Sequence, residues 1–198
     1  PLGPGMLRGD ARRLLPKGAA LIGAGVVRKA LPLAAILAAA CGGDEVAKAV
    51  IGDPMQVVPG DGLPPEVVPQ NANNNLDVIR HQGRVYLAFR TAPLHFASRQ
   101  TAMYVVSSED QRTWTYETRI ALGTDLREPR FLALGDRLLL YLGVLGPNPN
   151  AFEPGHMRVT ELGANGEWTE PEQVYLEGFI PWRARVHEGR AYLIGYTG

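Results

Sequence analysis

Three stretches of this 198-residue chain gather charged and aromatic side chains at matching positions. They are Asp77 with Arg80, then Asp125-Leu-Arg127-Glu128-Pro-Arg130, then Ile180-Pro-Trp182-Arg183-Ala-Arg185. Arginines brought together suit a carboxylate ligand, because the guanidinium fork meets both oxygens and keeps its charge. Arg127, Arg130, Arg183 and Arg185 are the candidates for that grip, with Trp182 placed to stack on a sugar face. Two carboxylates across a gap suit glycoside cleavage, one protonating the leaving oxygen while the other acts as base or nucleophile. Glu128 and Asp77 are the acids so placed. The competing reading is structural. Arginine is the usual cation here, with 13 arginines and one lysine after Cys41, and Glu128 can form a plain ion-pair network with Arg127 and Arg130.

These stretches fall in step because the chain repeats, and a repeat outranks other fold signals. Gly83, Gly135 and Gly189 lie 52 and 54 residues apart. Each is followed by a charged residue and, four places on, by Leu87, Leu139 or Leu193. A short strand, a glycine turn and a second strand rich in Tyr, Leu and Phe make a hairpin. Trp114-Thr115 and Trp168-Thr169 recur 54 residues apart, each closing a turn after the strand-like runs Ala102–Val106 and Met157–Thr160. Four strands in about 50 residues is the arithmetic of a propeller blade. The expected fold is therefore an all-β propeller over residues 76–198, with a β-sandwich as the competing arrangement. The third unit stops at Gly198, short of its Trp turn, so the natural protein is expected to be longer.

The turn Ser107-Ser-Glu109-Asp-Gln111-Arg-Thr113-Trp114 resembles the Asp-box of sialidase-like β-propellers, Ser-x-Asp-x-Gly-x-Thr-Trp. Glu109 stands for the Asp and Gln111 for the Gly, and the Trp168 copy keeps the turn and its Trp-Thr. In that family the box pins a hairpin while its Trp packs between sheets, so the resemblance speaks for fold more than chemistry. It also implies arginines on a substrate carboxylate, the first in an Arg-Ile-Pro motif, to which Arg90-Thr-Ala-Pro93 is the nearest match. Arabinanase- and xylosidase-type propellers place an acid followed by Pro seven residues before the hairpin glycine, a spacing similar to Glu128-Pro129 before Gly135. What these resemblances imply is action on carbohydrate, as an exo-glycosidase working by general acid/base hydrolysis. The alternative, from a different class, is a non-catalytic surface protein that uses the propeller as a binding or assembly platform.

The first part of the chain is of another kind. Arg28-Lys29, the apolar run Ala30–Ala40 and Cys41 resemble a bacterial lipoprotein signal, over roughly residues 26–43. That resemblance implies export, lipidation at Cys41 and anchoring to the cell envelope. Residues 1–41 are thus expected to be leader and signal. Residues 42–75, with Pro54, Pro59, Pro64, Pro65, Pro69 and an Asn run, are expected to be a semi-extended tether.

Charge and composition exclude several classes. Lys+Arg and Asp+Glu balance at 20 each, but residues 1–41 carry six basic groups and one acidic, leaving 14 and 19 for the remainder. An acidic body argues against nucleic acid, which needs a basic face. A single cysteine excludes a disulfide framework and multi-cysteine zinc sites. His81, His95, His156 and His187 lack metal-ligand spacing, so neither metal nor cofactor is expected. The expected partners are a carbohydrate or other small acidic ligand and, through Cys41, a membrane.

Overall fold

The computed structural model describes residues 51–198. The leader, Cys41 and the start of the expected tether lie outside the described residues. Ten strands follow one another: β1 (Ala72–His81), β2 (Arg84–Ala92), β3 (Ala102–Ser108), β4 (Thr115–Ile120), β5 (Asp125–Leu134), β6 (Arg137–Leu145), β7 (Pro154–Glu161), β8 (Glu172–Val174), β9 (Phe179–His187) and β10 (Arg190–Thr197). They form three antiparallel meanders in chain order, β1-β2-β3-β4, β5-β6-β7-β8 and β9-β10. The all-β class holds, and two of the repeats are four-stranded sheets. No closed propeller is present among the described residues.

The hairpin turns refine the repeat. Gln82-Gly83 and Glu188-Gly189 both carry positive φ at their two central residues, the requirement of a type I′ turn. In the middle hairpin Gly135 is the first central residue and Asp136 the second, so its glycine sits one place earlier. From Gln82 to Gly135 and from Gly135 to Glu188 the distance is 53 residues each time. The uneven 52 and 54 between glycines thus reflect two turn types on one even period.

Strand alternation builds the core. Along β2, Tyr86 and Ala88 face the second sheet, joined by Met103 and Val105 of β3. They meet Leu126 and Phe131 of β5 and Leu138, Leu140, Leu142 and Val144 of β6. Leu87 and Phe89 point the other way, beside Tyr104, Val106 and Trp114. The two repeated tryptophans play matching parts. Trp168 packs on the core between the first two sheets, its ring 6.3 Å from Phe131, while Trp114 packs on the free face of the first sheet.

That outer face is covered by the proline-rich stretch, which corrects the tether reading. Val57, Val58, Leu63 and Val67 pack on it, the Trp114 amide donates to the Gly62 carbonyl at 2.9 Å, and Gln70 N donates to Thr91 Oγ1 at 2.6 Å. Gly62 is needed there, since a Cβ would collide with the Arg112 carbonyl. The Asn run is likewise not linker but the opening of β1. Prolines bar this segment from a central strand, yet leave its valines and leucine free to bury apolar surface.

Candidate functional site

β1, β5 and β9, the first strand of each sheet, lie side by side. Each slips register near its start: at Asn75 in β1, over Glu128 and Pro129 in β5, and at Trp182 in β9. Asn75 (φ 42°) and Glu128 (φ 50°) both take left-handed backbone, which is disfavoured for a residue with a side chain and re-aims it. A hydrogen-bonded chain joins the three slips. Asn75 Nδ2 donates to Glu128 Oε1 at 2.7 Å, Arg130 Nη2 donates to Glu128 Oε2, and Arg130 Nε donates to the Trp182 carbonyl at 2.6 Å. Asp77 belongs to the same seam, its Oδ2 accepting from the Phe131 amide at 2.7 Å.

Beside this seam runs a groove of about 410 Å³ lined by Asp77, Arg130, Trp182, Arg183 and Arg185. Arg183 and Arg185 are exposed and, among the described residues, form no ion pair, and Trp182 is 58 % exposed. Four of the residues expected to hold a ligand are therefore together. The two expected acids are not free: both Glu128 oxygens accept from neighbours, and Asp77 stitches β1 to β5.

Arg90 and Arg127 lie elsewhere. Arg90 continues the Tyr86–Ala88 face of β2 and is wholly buried against Asp125, which is equally buried. Its Nη2 lies 2.7 Å from Asp125 Oδ1 and 2.9 Å from the Phe96 carbonyl, and its Nη1 donates to Asn74 Oδ1 at 3.2 Å. With no exposed surface, Arg90 meets no ligand from solvent. It fixes Asp125, whose Oδ2 holds Arg127 Nε. Arg127, 21 % exposed, reaches a second cavity of about 290 Å³ between the loops that follow β2 and β6, walled by Phe96 and Phe152.

Tyr196 of β10 sits between the two places. Its ring lies 5.2 Å from Trp182 and 6.3 Å from Phe152. Burial pushes its hydroxyl pKa up, the nearby Glu128 carboxylate pushes it further, and Arg127 opposes both. Spacing in the sequence assigns no role to Asp125, Phe152 or Tyr196. Asp125 stood in a charged stretch that could be noticed, whereas the two aromatics meet only through sheet packing and carry no local spacing signal.

The Asp-box-like turn is built one residue away from its sequence alignment. Asp110, not Glu109, holds it: Oδ1 accepts from the amides of Arg112 and Thr113, both at 2.8 Å. Ser108, not Ser107, bridges the Gln111 amide to the Thr113 carbonyl. Ser107 instead lies buried between Arg84 and Glu117, and the exposed Glu109 pairs with Arg84 at 2.8 Å. Backbone bonds from Thr113 and Arg112, then the Ser108 hydroxyl, lower the Asp110 pKa to about 2 from an ordinary 3.8. A depressed acid stabilises fully above its unfolded value and loses that contribution as pH falls through its folded one. Asp110 is therefore expected to titrate near pH 2 by carboxyl NMR, with Asp110→Asn removing that residue's share of the pH dependence of stability between 3.8 and about 2. Titration near 3.8 would contradict this turn.

No family model and no curated protein matches the chain. The likeness of the turn to an Asp-box therefore rests on its sequence alone. Among the described residues no group of three His, Cys, Asp or Glu is placed to hold a metal ion.

Proposed function

We propose that the three sheets are successive blades of a β-propeller, with β1, β5 and β9 innermost, and that the groove beside them binds an acidic carbohydrate. The observation that carries the reading is Arg183 and Arg185, two exposed guanidinium groups that form no ion pair among the described residues, next to an exposed tryptophan. Guanidinium groups take a carboxylate and an indole takes the apolar face of a sugar ring. The matching backbone slips and matching tryptophans support the blade assignment.

Binding is favoured over hydrolysis at this groove. A general acid must present a proton to the leaving oxygen, and both Glu128 oxygens already accept from Asn75 and Arg130. The chain is thus read as a binding module, exported and held to the bacterial cell envelope by a lipid on Cys41. The test is a panel of acidic and neutral monosaccharides by calorimetry, with aryl glycosides assayed in parallel. Binding of uronic or sialic acids but not their neutral analogues is expected, with no turnover. Turnover that disappears in Glu128→Gln would restore the hydrolase reading, and absence of acidic-sugar binding would end the binding one. For the anchor, Cys41→Ala is expected to abolish palmitate labelling, and undiminished labelling would refute it.

A further inference from the structure

Two cavities with an arginine in each, joined by aromatic rings, call for an explanation that one small ligand does not supply. Phe152 is 59 % exposed and Trp182 58 %, and Tyr196 lies between them. Two exposed aromatics on either side of the half-buried Tyr196 mark an interaction site rather than ordinary decoration. Phe152 and Tyr196 are nearly parallel, at 21°, yet 6.3 Å apart. That separation exceeds a face-on stack, so the rings are offset from each other. At the Phe152 end stands Arg127, whose Nε is held by the buried Asp125 while its Nη1 has no partner among the described residues. At the Trp182 end stand Arg183 and Arg185.

We infer that groove and loop cavity are two stations of a single site, and that its ligand is an acidic oligosaccharide lying along Trp182, Tyr196 and Phe152 with carboxylates at both ends. The inference rests on the acidic-carbohydrate reading above and extends it from a single sugar to a chain. The ring centres lie 5.2 Å and 6.3 Å apart, so the row from Trp182 through Tyr196 to Phe152 is longer than a single sugar ring covers. Arg127 adds a charge-assisted bond whose geometry is preset, because Arg90 and Asp125 hold the guanidinium before any ligand arrives. Linking two stations makes the second contact intramolecular, so affinity must climb with chain length until both are filled.

The test is calorimetric titration with galacturonic acid and its dimer, trimer and tetramer, alongside neutral cello-oligosaccharides of equal length. Affinity is expected to rise by about tenfold or more from monomer to trimer in the acidic series, and not in the neutral one. Phe152→Ala and Arg127→Lys are each expected to shrink that rise to about threefold or less, with melting temperatures confirming an intact fold. Equal affinity for monomer and trimer would overturn the two-station site while leaving the single-sugar reading in place. A length dependence untouched by both substitutions would overturn it as well. Failure of every acidic sugar to bind would remove the underlying reading and this one with it.

Discussion

Replacing Asp125 with alanine is expected to destabilise the protein by about 3–5 kcal/mol, the usual consequence of stranding a buried charge. Arg90 and Asp125 have no exposed surface, and the pair is closed by Thr101 Oγ1, which donates to Asp125 Oδ1 at 2.9 Å. Removing the carboxylate leaves a guanidinium enclosed between β2, β3 and β5, retaining only neutral acceptors such as the Phe96 carbonyl and Asn74. Returning that group to water requires opening the contact between the first two sheets. Arg90→Leu with Asp125→Leu is expected to recover most of the loss, because matched apolar replacement of a buried pair is often neutral. Chemical denaturation of the three variants checks this. A loss below about 1 kcal/mol for Asp125→Ala would show the pair to be hydrated after all. The double variant also separates folding from binding. It should fold well yet leave Arg127 without its anchor, weakening the longer acidic ligands.

The strand repeat was legible because two independent markers, glycine turns and Trp-Thr turns, kept the same period, and sheet geometry leaves few ways to satisfy both. What spacing could not reveal was which turn residue takes the left-handed backbone. Gly135 opens its turn whereas Gly83 and Gly189 close theirs, and either placement satisfies a glycine. The same ambiguity displaced the Asp-box-like turn by one residue. Ser107 and Ser108 are adjacent, as are Glu109 and Asp110, and side-chain chemistry alone does not choose between them. The structure chooses through strand alternation. Ser107 faces inward to Glu117 on β4, leaving Ser108 and Asp110 to hold the turn.

The site was legible in part for a related reason. Arg130 and Arg183 share a groove because they occupy equivalent places on adjacent strands, something a repeat can foretell, and Trp182 and Arg185 join them as neighbours of Arg183 on β9. Arg90 suggests a ligand contact from its nearness to Pro93, but it lies inside β2, where alternation decides its face. It falls in line with Tyr86 and Ala88 and is buried with them. The spacing of Glu128 to a glycine and its following proline suggest an acid catalyst. Its left-handed backbone and its bonds to Asn75 and Arg130 depend on a register slip that no local pattern announces. The proline-rich stretch suggests a free tether because prolines exclude regular structure. They do not exclude packing, and four apolar side chains sufficed to lay it on the first sheet.

Arg183→Ala with Arg185→Ala is expected to weaken binding of an acidic sugar by about tenfold to a hundredfold while leaving the melting temperature unchanged. Charge-assisted hydrogen bonds contribute about 1.5–3 kcal/mol, and each 1.4 kcal/mol is about tenfold in affinity, so the two groups together reach that range even after solvent screening. Stability should not move, because both side chains are exposed and neither is in an ion pair among the described residues. Two further measurements separate a specific grip from general attraction. Exposed charges act through a screened field, so nonspecific attraction would fade equally for any anion as salt rises. A fork on a carboxylate depends on shape, so Arg183→Lys with Arg185→Lys, which keeps the charge, is expected to recover only part of the affinity. If the lysine variant binds as tightly as the native chain, the arginines supply charge alone and the carboxylate assignment fails. If the alanine variant binds as tightly, the groove is not the site, and the cavity at Arg127 becomes the next candidate for an acidic ligand.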